Sequence, residues 1–270
     1  MTDSPLGETT TYPEHYAPEV LCGIPRAEHR ARLALGEELP FDGVDIWTAW
    51  ELTWLGPGAR PHVGTAEIRV PAGSANLVES KSMKLYLGSF AMSQYESAVD
   101  LHDTIAADLG ACTGAEVNVE ITELAVTAGR RSRKLPGKTL DRQKIDCSSW
   151  EVDAELLTVD QDAYVNETLH TDLLRSLCPV TGHPDSGSVL VCYEGPRIDR
   201  ASLLRYIVSY RQHQDFHESC VERMYVDILA RCQPVGLTVY ARYQRRGGID
   251  INPFRSNFER KPKNLRLWRQ

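Results

Sequence analysis

The 270-residue chain has no segment approaching the roughly 18 uninterrupted apolar residues that a membrane-spanning helix needs. Its first residues, Met1-Thr2-Asp3-Ser4-Pro5, lack the basic region and apolar run of a secretory signal, so export is not expected. Positive charge is in deficit: 30 Lys and Arg stand against 37 Asp and Glu, a formal net charge of −7. That balance argues against nonspecific nucleic-acid binding, which rests on cations neutralising phosphates, but it leaves room for a local basic pocket. Neither GxGxxG nor a GxxxxGK motif followed by Ser or Thr occurs, so Rossmann and P-loop binding are unsupported. The seven cysteines (22, 112, 147, 178, 192, 220 and 232) include no CxxC pair. An odd, scattered set excludes a disulfide framework and a structural zinc site of ordinary spacing, and reads as reduced cytosolic thiols. With 42% apolar and 25% charged residues, the chain has the composition of a soluble globular protein of one large or two ordinary domains.

Residues 1–42 are rich in Pro, Gly and charge and read as an irregular arm with one short helix near Arg26–Leu33. Ile46–Trp54 predicts a strand closed by the Gly56-Pro57-Gly58 turn, and Val63–Val70 its hairpin partner. A helix is expected over Ser93–Leu109 and a strand over Glu116–Ile121. The basic stretch 127–138 reads as a linker or exposed hairpin. In the second half Ser188–Tyr193 predicts a strand, Ser202–Gln212 and His217–Cys232 two helices, and Leu237–Tyr243 a closing strand. Val221, Met224, Tyr225, Ile228 and Leu229 share one face of the second of these helices. Strand pair, helices and strand pair, occurring twice, suggest two α+β modules in tandem, although identity between the halves is too low to prove duplication.

Four segments could carry chemistry. Cys178-Pro179-Val180-Thr181-Gly182-His183-Pro184-Asp185 is a turn-rich loop feeding a strand, and it sets a thiol and a carboxylate seven residues apart. A loop cysteine on a rigid scaffold is the usual place for a nucleophile. Like charges repel, so Asp185 makes better sense as a proton donor to substrate than as an activator of the thiol; the plain alternative is a loop Cys and a turn Asp. Asp215-Phe216-His217-Glu218 opens a helix, where Glu218 also suits the helix dipole. Adjacent His and Glu project about 100° apart, toward different parts of a ligand. A buried carboxylate there matches a purine-like N–H and amine edge. Glu79-Ser80-Lys81-Ser82-Met83-Lys84 is either an anion cradle or an ordinary helix start with Ser capping. Arg245-Arg246-Gly247-Gly248 can offer guanidinium and backbone N–H groups to a phosphate, or serve only as a hairpin turn.

Taken together the four segments resemble the 7-cyano-7-deazaguanine reductases of queuosine biosynthesis in their long, two-module form. Glu79 to Tyr86 stands as that family's signature, Cys178 to Asp185 as its cysteine loop, and His217-Glu218 as its His-Glu pair. Arg245-Arg246-Gly247-Gly248 continues into Asp250-Ile251-Asn252-Pro253. The resemblance runs from about Tyr12 to the carboxyl terminus. It implies an α+β fold of two tandem tunnelling-fold (T-fold) modules, antiparallel sheets with helices packed on one face. The expected organisation is an arm at 1–42, a first module at 43–135 and a second at 136–270. The implied activity is the NADPH-dependent, four-electron reduction of the nitrile of 7-cyano-7-deazaguanine (preQ0) to the amine of preQ1 through a thioimide on Cys178. Asp185 and His217 complete the implied catalytic set. Val78, Glu79, Ser80, Phe216, His217 and Glu218 are implied at the substrate, and Ser80, Lys81, Arg246 and Gly247 at NADPH. The resemblance further implies two NADPH per turnover, no metal, a cytoplasmic homodimer, and no direct contact with nucleic acid or membrane. Two rivals remain. One is a GTP-cyclohydrolase-type hydrolase, for which Cys178 and His183 lack a third zinc ligand; the other is a non-enzymatic module binding a purine-like metabolite or tRNA.

Overall fold

The computed structural model describes residues 12–124, 132–147 and 149–270. The extreme amino terminus and most of the basic half of the 127–138 stretch lie outside the described residues. The chain divides into two compact units. One comprises residues 1–32, 44–131 and 245–251, and the other 33–43, 132–244 and 252–270.

In the first unit, β2 (Asp42–Leu55) and β3 (Pro61–Pro71) form the expected hairpin, and β5 (Asn118–Glu123) pairs antiparallel with β3. Helices α2 (Ser80–Ser89) and α3 (Ala98–Thr113) supply Met83, Tyr86, Leu87, Phe90, Leu101, Ile105 and Leu109. These meet Trp47, Leu52, Ala66, Ile68 and Val119 of the sheet in one buried cluster, the main stabiliser of the unit. Helix α3 begins five residues later than the periodicity suggests. Leu55 N–H donates to the Ser93 carbonyl at 3.0 Å and Tyr95 N–H to the Leu55 carbonyl at 2.8 Å, which holds 93–95 extended until Ser97 caps the helix. The expected irregular arm contains α1 (Arg26–Arg32) and also a short strand, β1 (Gly23–Pro25), paired antiparallel with β4 (Asn76–Val78). Residues 245–251 count with this unit because Trp50 N–H reaches the Gly248 carbonyl at 2.9 Å and Trp50 Nε1 reaches Asp250 Oδ2 at 2.5 Å.

In the second unit a short strand, β6 (Lys138–Thr139), runs parallel to the long β7 (Val159–Leu177). β7 pairs antiparallel with β8 (Pro184–Ile198), β8 with β9 (Gly236–Tyr243), and β9 with the 254–256 end of β10 (Ile249–Ser256). Helices α4 (Arg200–Ser209) and α5 (His217–Cys232) pack on these strands, α4 on β7 and α5 on β8 and β9. β9 is therefore not the closing strand. β10 follows it, and β7 is the hairpin partner that the sequence pattern leaves out.

The two units share one hydrogen-bonding plan. Both hairpins carry a register shift near the middle of their first strand, between Ala49 and Leu52 and between Thr171 and Leu174. Leu177 N–H donates to the His213 carbonyl at 2.8 Å and its carbonyl accepts from Asp215 at 3.2 Å, as Leu55 does with Ser93 and Tyr95. Glu79 caps α2 and Asp199 caps α4, with Ser82 and Ser202 Oγ returning to the cap carbonyl at 2.7 and 2.8 Å. Tyr86 donates to Asp108, and Tyr206 to Asp227, both at 2.6 Å. Helices α3 and α5 each run 16 residues and end at a left-handed residue, Gly114 and Gln233. This shared hydrogen-bond plan supports the internal duplication that sequence identity leaves open.

Candidate active site

In the second unit the cysteine loop is the turn of the β7–β8 hairpin. Cys178 N–H donates to the His183 carbonyl at 2.9 Å and Gly182 N–H to the Cys178 carbonyl at 3.0 Å, and Gly182 takes φ +65°. The left-handed glycine lets the chain reverse while the half-buried Cys178 thiol stays free. Asp185 is not a turn residue. It lies in β8 opposite Ser176 and is buried, which gives its carboxyl a fixed direction. His217, the first residue of α5, places Nε2 3.3 Å from Asp185 Oδ2. Its other ring nitrogen, Nδ1, is buried with no hydrogen-bond partner among the described residues. Phe216 occupies the cap position of α5, Asp215 Oδ1 accepts from Phe216 N–H at 2.8 Å, and Glu218 is buried in the first turn. The structure thus brings Asp185 and His217 together and sets Glu218 one residue on, where helix geometry turns it to a different direction.

Three residues to which the sequence assigns no role lie around His217. The Tyr243 ring stacks on the imidazole, with centroids 3.7 Å apart and planes 5° from parallel. Ser176 and Cys220 are buried in the same neighbourhood, and neither Ser176 Oγ nor the Tyr243 hydroxyl has a hydrogen-bond partner among the described residues. Burial raises the Tyr243 pKa well above that of a free phenol. Burial, reinforced by the Asp215 charge, raises the Cys220 thiol too. Both stay protonated at neutral pH, so this floor carries no charge of its own. The signal that could have found Tyr243 is its register opposite Gly187 on β8, and it needs the strand pairing to be read.

In the first unit Val78 is the buried last residue of β4, and Glu79 links it to α2. Glu79, rather than a serine, is the helix cap. Its side chain is 0% exposed, with Oε1 accepting from Lys81 N–H at 2.8 Å and Oε2 from Ser82 N–H at 2.7 Å. Its own N–H donates to the Cys22 carbonyl at 2.8 Å, and Ser82 Oγ accepts from Cys22 N–H at 3.1 Å, so β1 braces the cap. A carboxylate has about four acceptor positions, and two backbone donors leave the outer ones for a ligand. Ser80 and Lys81 stand half-buried in the first turn.

Arg246, Gly247 and Gly248 form a tight reversal in which Arg246 N–H meets the Ile249 carbonyl at 2.8 Å and Ile249 N–H returns to Arg246 at 3.3 Å. Gly247 and Gly248 take φ +58° and +81°, conformations that glycine adopts without strain. A Cβ on Gly247 would stand 3.2 Å from both Cδ and Cε of Lys84. The reversal and the lysine of the α2 signature are thus neighbours, although Lys84 was not among the expected cofactor residues. Arg245 lies over the Trp50 ring at 5.5 Å. Lysines, Arg246 and glycine N–H groups gathered within one unit fit a phosphate-bearing cofactor such as NADPH. Among the described residues no group of three His, Cys, Asp or Glu side chains is placed to hold a metal ion, and no helix is long and apolar enough to cross a membrane.

Comparison with known proteins agrees with this division of parts. Residues 12–121 match the family model described as nitrile reductase, 7-cyano-7-deazaguanine-reductase N-term, and residues 184–262 match the one described as QueF-like protein. Proteins of Burkholderia mallei (strain SAVP1) and Burkholderia thailandensis, each named NADPH-dependent 7-cyano-7-deazaguanine reductase, are both 51% identical over 269 residues. Those alignments cover 99% of this chain and 98% of each relative. With both family segments in order and such identity across nearly its whole length, the chain belongs to the NADPH-dependent 7-cyano-7-deazaguanine reductase family.

Proposed function

We propose that the chain reduces the nitrile of 7-cyano-7-deazaguanine to the aminomethyl group of preQ1, consuming two NADPH in a step of queuosine biosynthesis. The observation that carries the reading is the second unit's chemistry. A free thiol at a rigid hairpin turn precedes a buried carboxyl, and that carboxyl lies 3.3 Å from a half-buried imidazole.

A nitrile carbon accepts electron pairs poorly until it is activated. Cys178 sulfur adds to it, the carbon–nitrogen triple bond becomes a double bond, and the nitrogen takes up one proton to give a thioimide. The sum moves a proton from sulfur to nitrogen, and Asp185, backed by His217, is placed to carry it. NADPH, when bound, supplies one hydride to the thioimide carbon and a second to the imine left after the thiol departs. Asp185 and His217 deliver the accompanying protons, and Cys178 leaves as the thiol, ready for another cycle. The burial of Asp185 and Glu218 limits water at an intermediate that water would hydrolyse. Glu79 of the first unit and Glu218 of the second are each a buried carboxylate able to accept from the N–H edge of a guanine-like base, with Val78 and Ser80 adjoining Glu79 and Phe216 close to Glu218 in the chain. Ser80, Lys81, Arg246 and Gly247, joined by Lys84, hold the NADPH phosphates. The same reading takes the two units as tunnelling-fold modules, nominally 43–135 and 136–270, working as a cytoplasmic homodimer without a metal.

The test is intact-protein mass after mixing with 7-cyano-7-deazaguanine in the absence of NADPH. A thioimide retains every substrate atom, so the protein gains one substrate mass. The gain is absent in Cys178→Ala and is discharged when NADPH is added. If the folded protein forms no adduct and oxidises no NADPH on adding substrate, the reading fails and a binding module takes its place.

A further inference from the structure

The duplication turns the fold into its own control. The two units share strands, helices, caps and internal tyrosine–aspartate bonds, so positions at which they differ mark what only one of them needs. The pairing registers make the comparison residue by residue. Leu177 opposite Pro184 corresponds to Leu55 opposite Pro61. It follows that Cys178 corresponds to Gly56, Asp185 to His62, and Ser176 to Trp54. Likewise Gly187 opposite Tyr243 corresponds to Gly64 opposite Glu123. The first residues of the long helices equate His217 with Ala98, and the bonds from Cys220 to Phe216 and from Leu101 to Ser97 equate Cys220 with Leu101.

Gly56 stands in the first unit where the second has the Cys178 thiol, and where the second unit pairs Ser176 with Asp185 the first stacks Trp54 on His62. It has alanine in place of His217 and glutamate in place of Tyr243. The imidazole and the phenol ring beneath it therefore come and go together. The architecture folds without either, so the stack is not a requirement of the hairpin or of the helix start. Glycine stands at the position of Gly187 in both units, and a Cβ on Gly187 would stand 3.2 Å from Tyr243 Cδ1, so a substitution there presses on the ring.

We infer that Tyr243 is a positioning residue for the reduction: its ring holds the His217 imidazole in the plane in which Nε2 lies 3.3 Å from Asp185. An imidazole at the first residue of a helix has two free side-chain torsions, and rotation about the second exchanges its nitrogens. A coplanar ring 3.7 Å away, itself buried and uncharged, restricts the imidazole plane without adding an acid or base. Positioning of this kind slows every step in which Asp185 and His217 carry a proton, so turnover falls while the adduct, read at its final extent, still forms. The inference rests on the proposed covalent route, and its test keeps the two apart.

Tyr243→Phe keeps the aromatic face, Tyr243→Leu removes it, and Gly187→Ala presses on it from β8. Each is compared with the unaltered protein for substrate adduct without NADPH, for kcat and KM of NADPH oxidation, and for two-bond proton–nitrogen correlations of labelled histidine. The expected result is that Tyr243→Leu forms the adduct yet loses kcat on the order of tenfold or more, with KM little changed. His217 then shows a changed tautomer or ring environment. Tyr243→Phe restores kcat and the wild-type histidine spectrum, and Gly187→Ala falls between. Equal kcat in Tyr243→Leu and wild type overturns the inference, as does a Tyr243→Phe loss as deep as that of leucine, which would make the hydroxyl a chemical participant. Should Tyr243→Leu fail to fold, the Phe and Gly187→Ala pair decides: unchanged kcat in Gly187→Ala with a shifted ring overturns it. Failure of the unaltered protein to form the adduct instead removes the covalent reading itself.

Discussion

In the proposed reading Glu79 caps α2 and binds substrate with one carboxylate, and the duplicated fold offers a substitution that separates the two roles. Glu79→Ala removes both the cap of α2 and the proposed ligand for substrate. Losing an N-cap side chain costs about 0.5–2 kcal/mol, and losing an anion at a helix N-terminus a further 0.3–1 kcal/mol or so. The sum, about 1–3 kcal/mol, corresponds to a Tm lowered by roughly 2–12 °C for a chain of this size. Glu79→Asp is different, because Asp199 already shows that the shorter side chain caps the equivalent helix, accepting from Ser202 N–H at 2.7 Å. The aspartate variant should therefore keep a Tm within about 3 °C of the parent. Its carboxylate is drawn back by one methylene, and losing a hydrogen bond between substrate and a charged group costs about 1.5–3 kcal/mol. Thermal denaturation beside steady-state NADPH oxidation should show Glu79→Asp stable, with kcat/KM for 7-cyano-7-deazaguanine lowered roughly 10- to 100-fold. The reasoning fails if Glu79→Asp melts as early as Glu79→Ala, or if it keeps the parent's kcat/KM.

Two further perturbations test the second unit. The His213 pKa is lowered, first by burial and then by the positive charge of Arg223. A histidine whose folded pKa is depressed binds fewer protons folded than unfolded, so stability falls as pH drops below about 6.5, the unfolded value. His213→Gln should flatten that acid-side decline in urea midpoints between about pH 7 and pH 5; parallel curves for the two proteins would remove the argument. Arg255 and Glu222 form a buried pair, with Arg255 Nη2 2.9 Å and Nε 3.0 Å from Glu222 Oε1. Arg255→Met strands the carboxylate and should cost about 3–5 kcal/mol, whereas replacing both partners with apolar residues should recover much of the loss. A double variant no more stable than the single one contradicts this.

The fold could be read wherever its periodicity was uninterrupted. The β2–β3 hairpin and both helices of the second half follow from alternation and from a 3.6-residue stripe, and the structure places them within a few residues. β7 escaped because its two register shifts, between Asp160 and Tyr164 and between Thr171 and Leu174, each break the two-residue alternation on which strand reading depends. β10 escaped for another reason. All eight of its residues are buried, yet Asp250, Asn252, Arg255 and Ser256 are polar, so hydropathy does not mark it. Those side chains are satisfied by specific partners, such as Trp50 for Asp250 and Glu222 for Arg255, and no local pattern reveals them.

The site divides in the same way. Cys178, His217 and Glu218 stand out as reactive types at a turn or a helix start, and a motif of short span is enough to mark them. Tyr243 does not, because an aromatic residue in an alternating strand is the commonest kind of core residue, and Ser176 and Cys220 are small residues of the sort that fill interiors. Their relevance lies in contacts between segments some 20 residues or more apart in the chain, above all that of Tyr243 with the His217 ring. Only the comparison of the two units separates packing from purpose. Where the first unit has Trp54, Leu101 and Glu123, the same scaffold forms with other side chains, so Ser176, Cys220 and Tyr243 are not dictated by the shared architecture. Residues that the shared architecture does not dictate, retained beside a thiol and an imidazole, are where substitutions should change the reaction more than the melting temperature.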